Sequence, residues 1–328
     1  ADDIRVHTAA GLAVFSASRD GKLLYQTGTG ELANRLEWVS RTGERQGTLG
    51  DNADYAVAQP SPDGRHVATE IYDENGASAL WVYELSRQIR TRISLDPEAD
   101  GWPVWSPDSA ALIFWSRRKG QIALYRKSLV GSGEPELLLE SDEQKIPWSV
   151  SPDGKHLTYG RWNEDMVGFD LWILPLKGDR KPEAFIQTRF NERWGKFSPD
   201  GKWIAYVSNE SGRDEVYVDA FPNKGKKQQL SAEGARFTWW REDGREILYQ
   251  ERNGRVLAVD VEAVEDLQTR LAVAVAVVAG VGAVAVPDDL DHRPGDAVQI
   301  VERDLADQPH PRAAPVHARV GEQLVDCG

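Results

Sequence analysis

Six aspartates recur in this chain at near-constant spacing, and a ring of six acids is the first arrangement in it that could do chemistry. Asp63, Asp153 and Asp200 stand in Ser-Pro-Asp-Gly, Asp108 in Ser-Pro-Asp-Ser, Asp20 in Ser-Arg-Asp-Gly and Asp243 in Arg-Glu-Asp-Gly. The steps between them are 43, 45, 45, 47 and 43 residues. Converging carboxylates could hold a hard cation or share a proton. Here each Asp is tied to a turn motif, in which Pro presets φ, Asp bonds nearby amides and Gly accepts positive φ. All six are read as residues that hold their own turns.

A second set lies eight to six residues before those aspartates: Tyr55, Asp100, Trp102, Lys145, Glu192, Arg193, Trp194 and Arg236. Mixed charges interleaved with aromatics suit recognition of a peptide or a small polar ligand, and they equally describe a wet channel lined by paired ions. Asp100 and Glu192 would be the acids of a hydrolase or lyase. Acids that work with a metal usually stand among clustered His ligands, whereas residues 1–262 hold only His7, His66 and His156. Near the C-terminus, Asp288, Asp289, Asp291, His292 and Asp296 crowd together. They lack the order of a calcium loop, so a solvated acidic segment is expected. No metal and no cofactor is expected anywhere. A Gly-rich phosphate loop, a His-Arg-Asp loop, an Asp-Phe-Gly and a Gly-x-Ser-x-Gly elbow are all absent, which leaves kinase and serine-hydrolase chemistry without its parts.

The elements that must position these residues follow from the period. A repeat near 45 residues is the length of one four-stranded propeller blade, and the six turns predict an all-β, six-bladed β-propeller of antiparallel blades. Each unit reads alike. An inner strand such as Pro103-Val104-Trp105 or Trp194-Gly195-Lys196-Phe197 leads into the turn. A β-branched and aromatic run such as Trp203 to Val207 follows it, then a third strand such as Leu80 to Tyr83 or Glu215 to Val218. The fourth strand is weakest, as in Glu136 to Leu139. On this plan the second set of residues sits at one mouth of a central channel, with the turns on the opposite face.

The propeller is assigned to residues 1–262, and 263–328 to a separate tail. All 29 aromatics and every Lys lie before residue 263. The tail opens with sixteen residues of Ala, Val, Gly and one Leu, Leu271 to Val286, closed by Pro287. A membrane helix needs about 17 to 25 apolar residues, so this run is marginal for a span, and a buried strand, a helix or an unordered segment are the alternatives. The tail is expected to add at most one strand to the regular blades. A net charge of −13 would repel a phosphate backbone, so nucleic acid is not expected as a partner. A lone Cys327 permits no disulfide framework.

Over residues 10 to about 262 the turn repeats resemble those of TolB-like (WD40-like, PD40) propellers. Phe15 to Gly21, Leu176 to Pro182, Phe190-Asn191-Glu192 and Ser208 to Val218 are similar to the C-terminal propeller half of bacterial Hanks-type serine/threonine kinases. That resemblance implies a non-enzymatic sensor or interaction module outside the cytoplasm, with a protein or peptide partner. Any kinase domain or membrane anchor would lie upstream of Ala1. A prolyl-oligopeptidase-like propeller is the other family in view.

Overall fold

The computed structural model describes residues 35–40, 45–93, 99–118, 121–162, 168–251 and 255–260, and the strand backbones at 6–7, 12–13, 15–17, 23–27 and 276–277. Every element is a strand, and the blades are four-stranded, antiparallel and arranged as a propeller. The first sheet runs Phe15–Ala17, Leu23–Thr27, Arg35–Val39 and Arg45–Leu49. The second to fifth begin at the inner strands Asp54–Pro60, Asp100–Trp105, Lys145–Val150 and Glu192–Phe197, and each continues outward in chain order. The sixth takes Phe237–Trp240, Glu246–Gln250 and Val256–Asp260, and its fourth strand is Ala276–Val277. One strand of that sheet therefore comes from beyond residue 262.

The turns explain why each sheet starts as it does. In the second sheet the Ser61 hydroxyl donates to Asp63 Oδ1 at 2.5 Å, the Arg65 amide donates to the same oxygen at 3.0 Å, and Gly64 takes φ of 67°. Asp108, Asp153 and Asp200 repeat these bonds with Ser106, Ser151 and Ser198 and with the amides of Ala110, Lys155 and Lys202. Asp243, whose motif has Arg241 in the Ser position, keeps the amide bond from Arg245 and pairs with the Arg241 guanidinium at 2.9 Å. Asp20 lies outside the described residues. Ser109 replaces Gly in the third motif at φ 58°, a strained value for a side chain, and its hydroxyl accepts the Asp63 amide at 3.0 Å. That bond ties one turn to its neighbour. These carboxylates thus serve their turns, and the hydroxyl bonds hold Asp153 down to about 2. Asp153→Ala is expected to cost about 1 kcal/mol, read as a lower urea midpoint, since a net hydrogen bond at an exposed site contributes about that much. An unchanged midpoint would assign the turn to Pro152 and Gly154 alone.

The core lies between sheets. Leu24, Leu36, Leu49, Val67 and Tyr83 fill the space between the first two, and Trp203, Val207, Val216, Ile247 and Val259 the space between the last two. Middle strands are covered on both faces, so Trp203–Ser208 is buried throughout and its sequence does not alternate. No helix among the described residues is long and apolar enough to cross a membrane, and 271–275 and 278–286 lie outside those residues.

Candidate functional site

The inner strands are not regular, and their irregularity makes the axial site. Register shifts fall between Tyr55 and Val57, Gly101 and Val104, Pro147 and Ser149, and Arg193 and Lys196. A bulge bends its strand and re-aims a side chain. Here the bulges carry Trp102, Trp148 and Trp194 into one aromatic cluster. Trp102 stacks on Trp194 with centroids 5.1 Å apart and planes 15° apart, and Trp194 also meets Trp148 at 5.8 Å and Phe237 at 5.2 Å. Four sheets thus contribute to the cluster.

Trp102 and Trp194 hold φ of 55° and 62°. Each such residue costs about 1 to 3 kcal/mol of backbone strain, and strain of this kind persists where the surroundings over-determine it. The Trp102 amide donates to Glu70 Oε2 at 3.0 Å, and ring stacking supplies the other restraint. Both indoles are only half-buried.

The eight residues expected at the mouth divide in two. Trp102, Arg193, Trp194 and Arg236 remain partly exposed. Arg193 pairs with Asp214. The other four are buried. Tyr55 is fully buried in the cluster between the first two sheets, where its hydroxyl donates to Asp51 O at 2.8 Å and meets Tyr83 Oη at 3.0 Å. Lys145 is buried, and its ammonium donates to the backbone oxygens of Ile122, Ser141 and Glu143, which use all three N–H bonds. Asp100 is fully buried, and its carbonyl accepts the Ser78 hydroxyl at 2.9 Å. Glu192 is fully buried and accepts the Thr188 hydroxyl at 2.5 Å, while its Oε2 has no hydrogen-bond partner among the described residues. Tyr55 packs in the seam between the first two sheets, and Lys145 reaches the Ile122 carbonyl of the preceding sheet.

Burial also sets their protonation. Glu192 is pushed up to about 7 by desolvation, with the Thr188 bond opposing and Asp170 and Glu210 adding to the rise. Glu70 is likewise pushed up to about 7 by burial, against hydrogen bonds from Trp102, Ser78 and Tyr72. Loss of hydration brings Lys145 down to about 8. The described residues bring no three His, Cys, Asp or Glu together as a metal site, and Asp288 to Asp296 lie outside them.

At the other end of the inner strands, on the turn face, a cavity of about 500 Å³ opens. Pro62, Pro107, Pro152 and Pro199 of four successive turns border it, and Trp105, Trp148 and Trp240 form much of its wall. Trp105 Nε1 donates to Gln59 O at 2.8 Å and Trp240 Nε1 to Lys196 O at 3.0 Å, so each indole is fixed to another sheet's backbone. Glu70, Trp148 and Lys196 were not singled out from the sequence. For Glu70 the available signal was an acid in the middle of the strand His66–Tyr72, and for Lys196 there was none, since its strand also carries Glu192 and Arg193.

No family model matches the chain. The Tol-Pal system protein TolB of Alcanivorax borkumensis is 30% identical over 102 residues, which cover 30% of this chain and 24% of that protein. The match thus spans about a quarter of the curated relative's length. The crystal structure of TolB from Acinetobacter baumannii superposes with a TM-score of 0.65 at 18% identity, covering 76% of this chain and 63% of that one. The structure of putative TolB from Agrobacterium tumefaciens gives 0.60 at 19%, covering 71% and 87%. The fold is TolB-like. Propeller enzymes, among them a prolyl endopeptidase and an oligogalacturonate lyase, share it at lower identity.

Proposed function

We propose that this chain is a non-enzymatic binding module, a six-bladed propeller that engages a protein or peptide, or a small polar ligand, at the axial mouth near Trp102, Arg193, Trp194 and Arg236. The observation that carries this reading is the pair of half-exposed, stacked indoles held at positive φ. Strained residues persist at sites where geometry is used, and Trp and Arg are the common energetic anchors of interfaces. Six four-stranded sheets support the blade count. Likeness to a Tol-Pal system protein supports an extracytoplasmic, periplasmic setting and a protein partner. Resemblance to kinase-linked propellers, carried by Phe190-Asn191-Glu192 and Ser208 to Val218, supports a part in a larger sensor protein.

The test is binding to a peptide and envelope-fragment library, comparing wild type with Trp194→Ala and Arg193→Ala. Each variant is expected to lose about ten-fold or more in affinity while its melting temperature confirms folding. Folded variants that bind as tightly as wild type would place the site elsewhere. A lyase or hydrolase reading draws on Glu192, whose carboxyl titrates near neutrality. Substrate turnover by the purified chain, abolished in Glu192→Gln, would replace the binding reading.

A further inference from the structure

Lys196 stands on the wall of the turn-face cavity, beyond the aromatic cluster on its strand and so at the other end of the axis from the proposed mouth. Its ammonium donates to Trp148 O at 2.6 Å and makes no ion pair with any described residue. One of three N–H bonds is used. A cation out of bulk water without a counter-ion is costly, and proteins pair or neutralise such groups. Burial without a carboxylate partner brings Lys196 down to about 8. Around it Trp105, Trp148 and Trp240 are placed by packing and by the indole bonds described above, and the rest of the wall mixes apolar and polar groups, among them Gln59, Ser149 and one exposed acid, Glu242. A volume of about 500 Å³ falls within the usual span of small-ligand sites, which combine apolar walls with a few polar anchors.

We propose that this cavity is a second binding site, which takes a carboxylate carried on a flat apolar body, with Lys196 as the counter-ion and the partly exposed Trp240 as the stacking surface. The carboxylate accepts the two free ammonium hydrogens, and the bond to Trp148 O keeps Nζ in place. The same chemistry is offered by a small aromatic acid and by the C-terminus of a peptide ending in Trp.

Two probe pairs separate these sources: 2-naphthoate with 2-naphthamide, and N-acetyl-Gly-Trp with its C-terminal amide, each titrated calorimetrically into the full chain. The acid of at least one pair is expected to bind about ten-fold or more tightly than its amide, the usual gain from a hydrogen bond to a charged group. Preference for naphthoate identifies a small acid, and preference confined to the dipeptide identifies a chain terminus. Lys196→Met, checked for folding by its melting temperature, is expected to bring the acid to the level of the amide. Amides that match their acids in both pairs, no binding of either acid, or a folded Lys196→Met that keeps the preference would overturn the proposal. If Lys196→Met does not fold, wild type decides: the preferred acid should protect Lys196 from reductive methylation, read by peptide mass spectrometry, and equal labelling with and without it refutes the site.

Discussion

Stability is expected to fall as the pH rises from about 5 to about 8, by up to about 3 kcal/mol for each of Glu70 and Glu192. Both carboxyls are buried and pushed up to about 7 from 4.5, desolvation being the largest cause in each. A folded-state pKa above the unfolded value means that the native protein holds its proton more tightly. The resulting stability is complete below about 4.5 and is lost as the pH passes through about 7. The turn aspartates act in the opposite sense. Asp153, held down to about 2, contributes stability above about 4 that disappears on further acidification, outside this window. Lys145 and Lys196, lowered to about 8, remain almost wholly charged up to pH 7 and contribute little slope below it. Urea midpoints at pH 5, 6, 7 and 8 measure the effect. Glu70→Gln together with Glu192→Gln should flatten the profile, because an amide keeps the shape and loses the titration. A wild-type profile that is level or rises over this range would show that both carboxyls are hydrated.

Trp148→Ala is expected to be the most damaging single substitution, at about 3 to 5 kcal/mol, the range for removing a large buried aromatic. Trp148 is 1% exposed and packs edge-on to Phe169 and against Trp194. Gly160 is the reciprocal evidence: a Cβ there would overlap the six-membered ring of Trp148, so the opposite strand has given up its side chain to receive the indole. Gly160→Ala should therefore also destabilise, by overpacking, at about 1 to 3 kcal/mol. Equilibrium denaturation checks both. A cost for Trp148→Ala below about 1 kcal/mol would mean that the aromatic cluster collapses around the gap and that the axis is softer than its packing indicates.

The sequence alone determined the repeat, the turns and the strand order, because those features are written in short-range contacts. Ser61, Asp63, Arg65 and His66 complete one turn within six residues, and the same bonds recur in the other three Ser-Pro-Asp turns. Spacing could therefore be read directly as architecture. Which side chains face the axis was decided only by the tertiary structure. Counting back from each Asp assumes an unbroken strand, but in four sheets a bulge shifts the register at the counted positions or within two residues of them, and side-chain direction alternates with every residue. Tyr55 thus packs in the seam between the first two sheets and Trp194 against Phe237 of the next sheet, although both lie eight to six residues before a turn. The partners that settle each case are also distant in sequence. Lys145 is satisfied by Ile122 O, 23 residues away, Trp102 is held by Glu70, 32 away, and Lys196 reaches Trp148 O, 48 away. A period near 45 residues reveals that a neighbouring sheet exists; only the packed sheets show which of its atoms each charge meets.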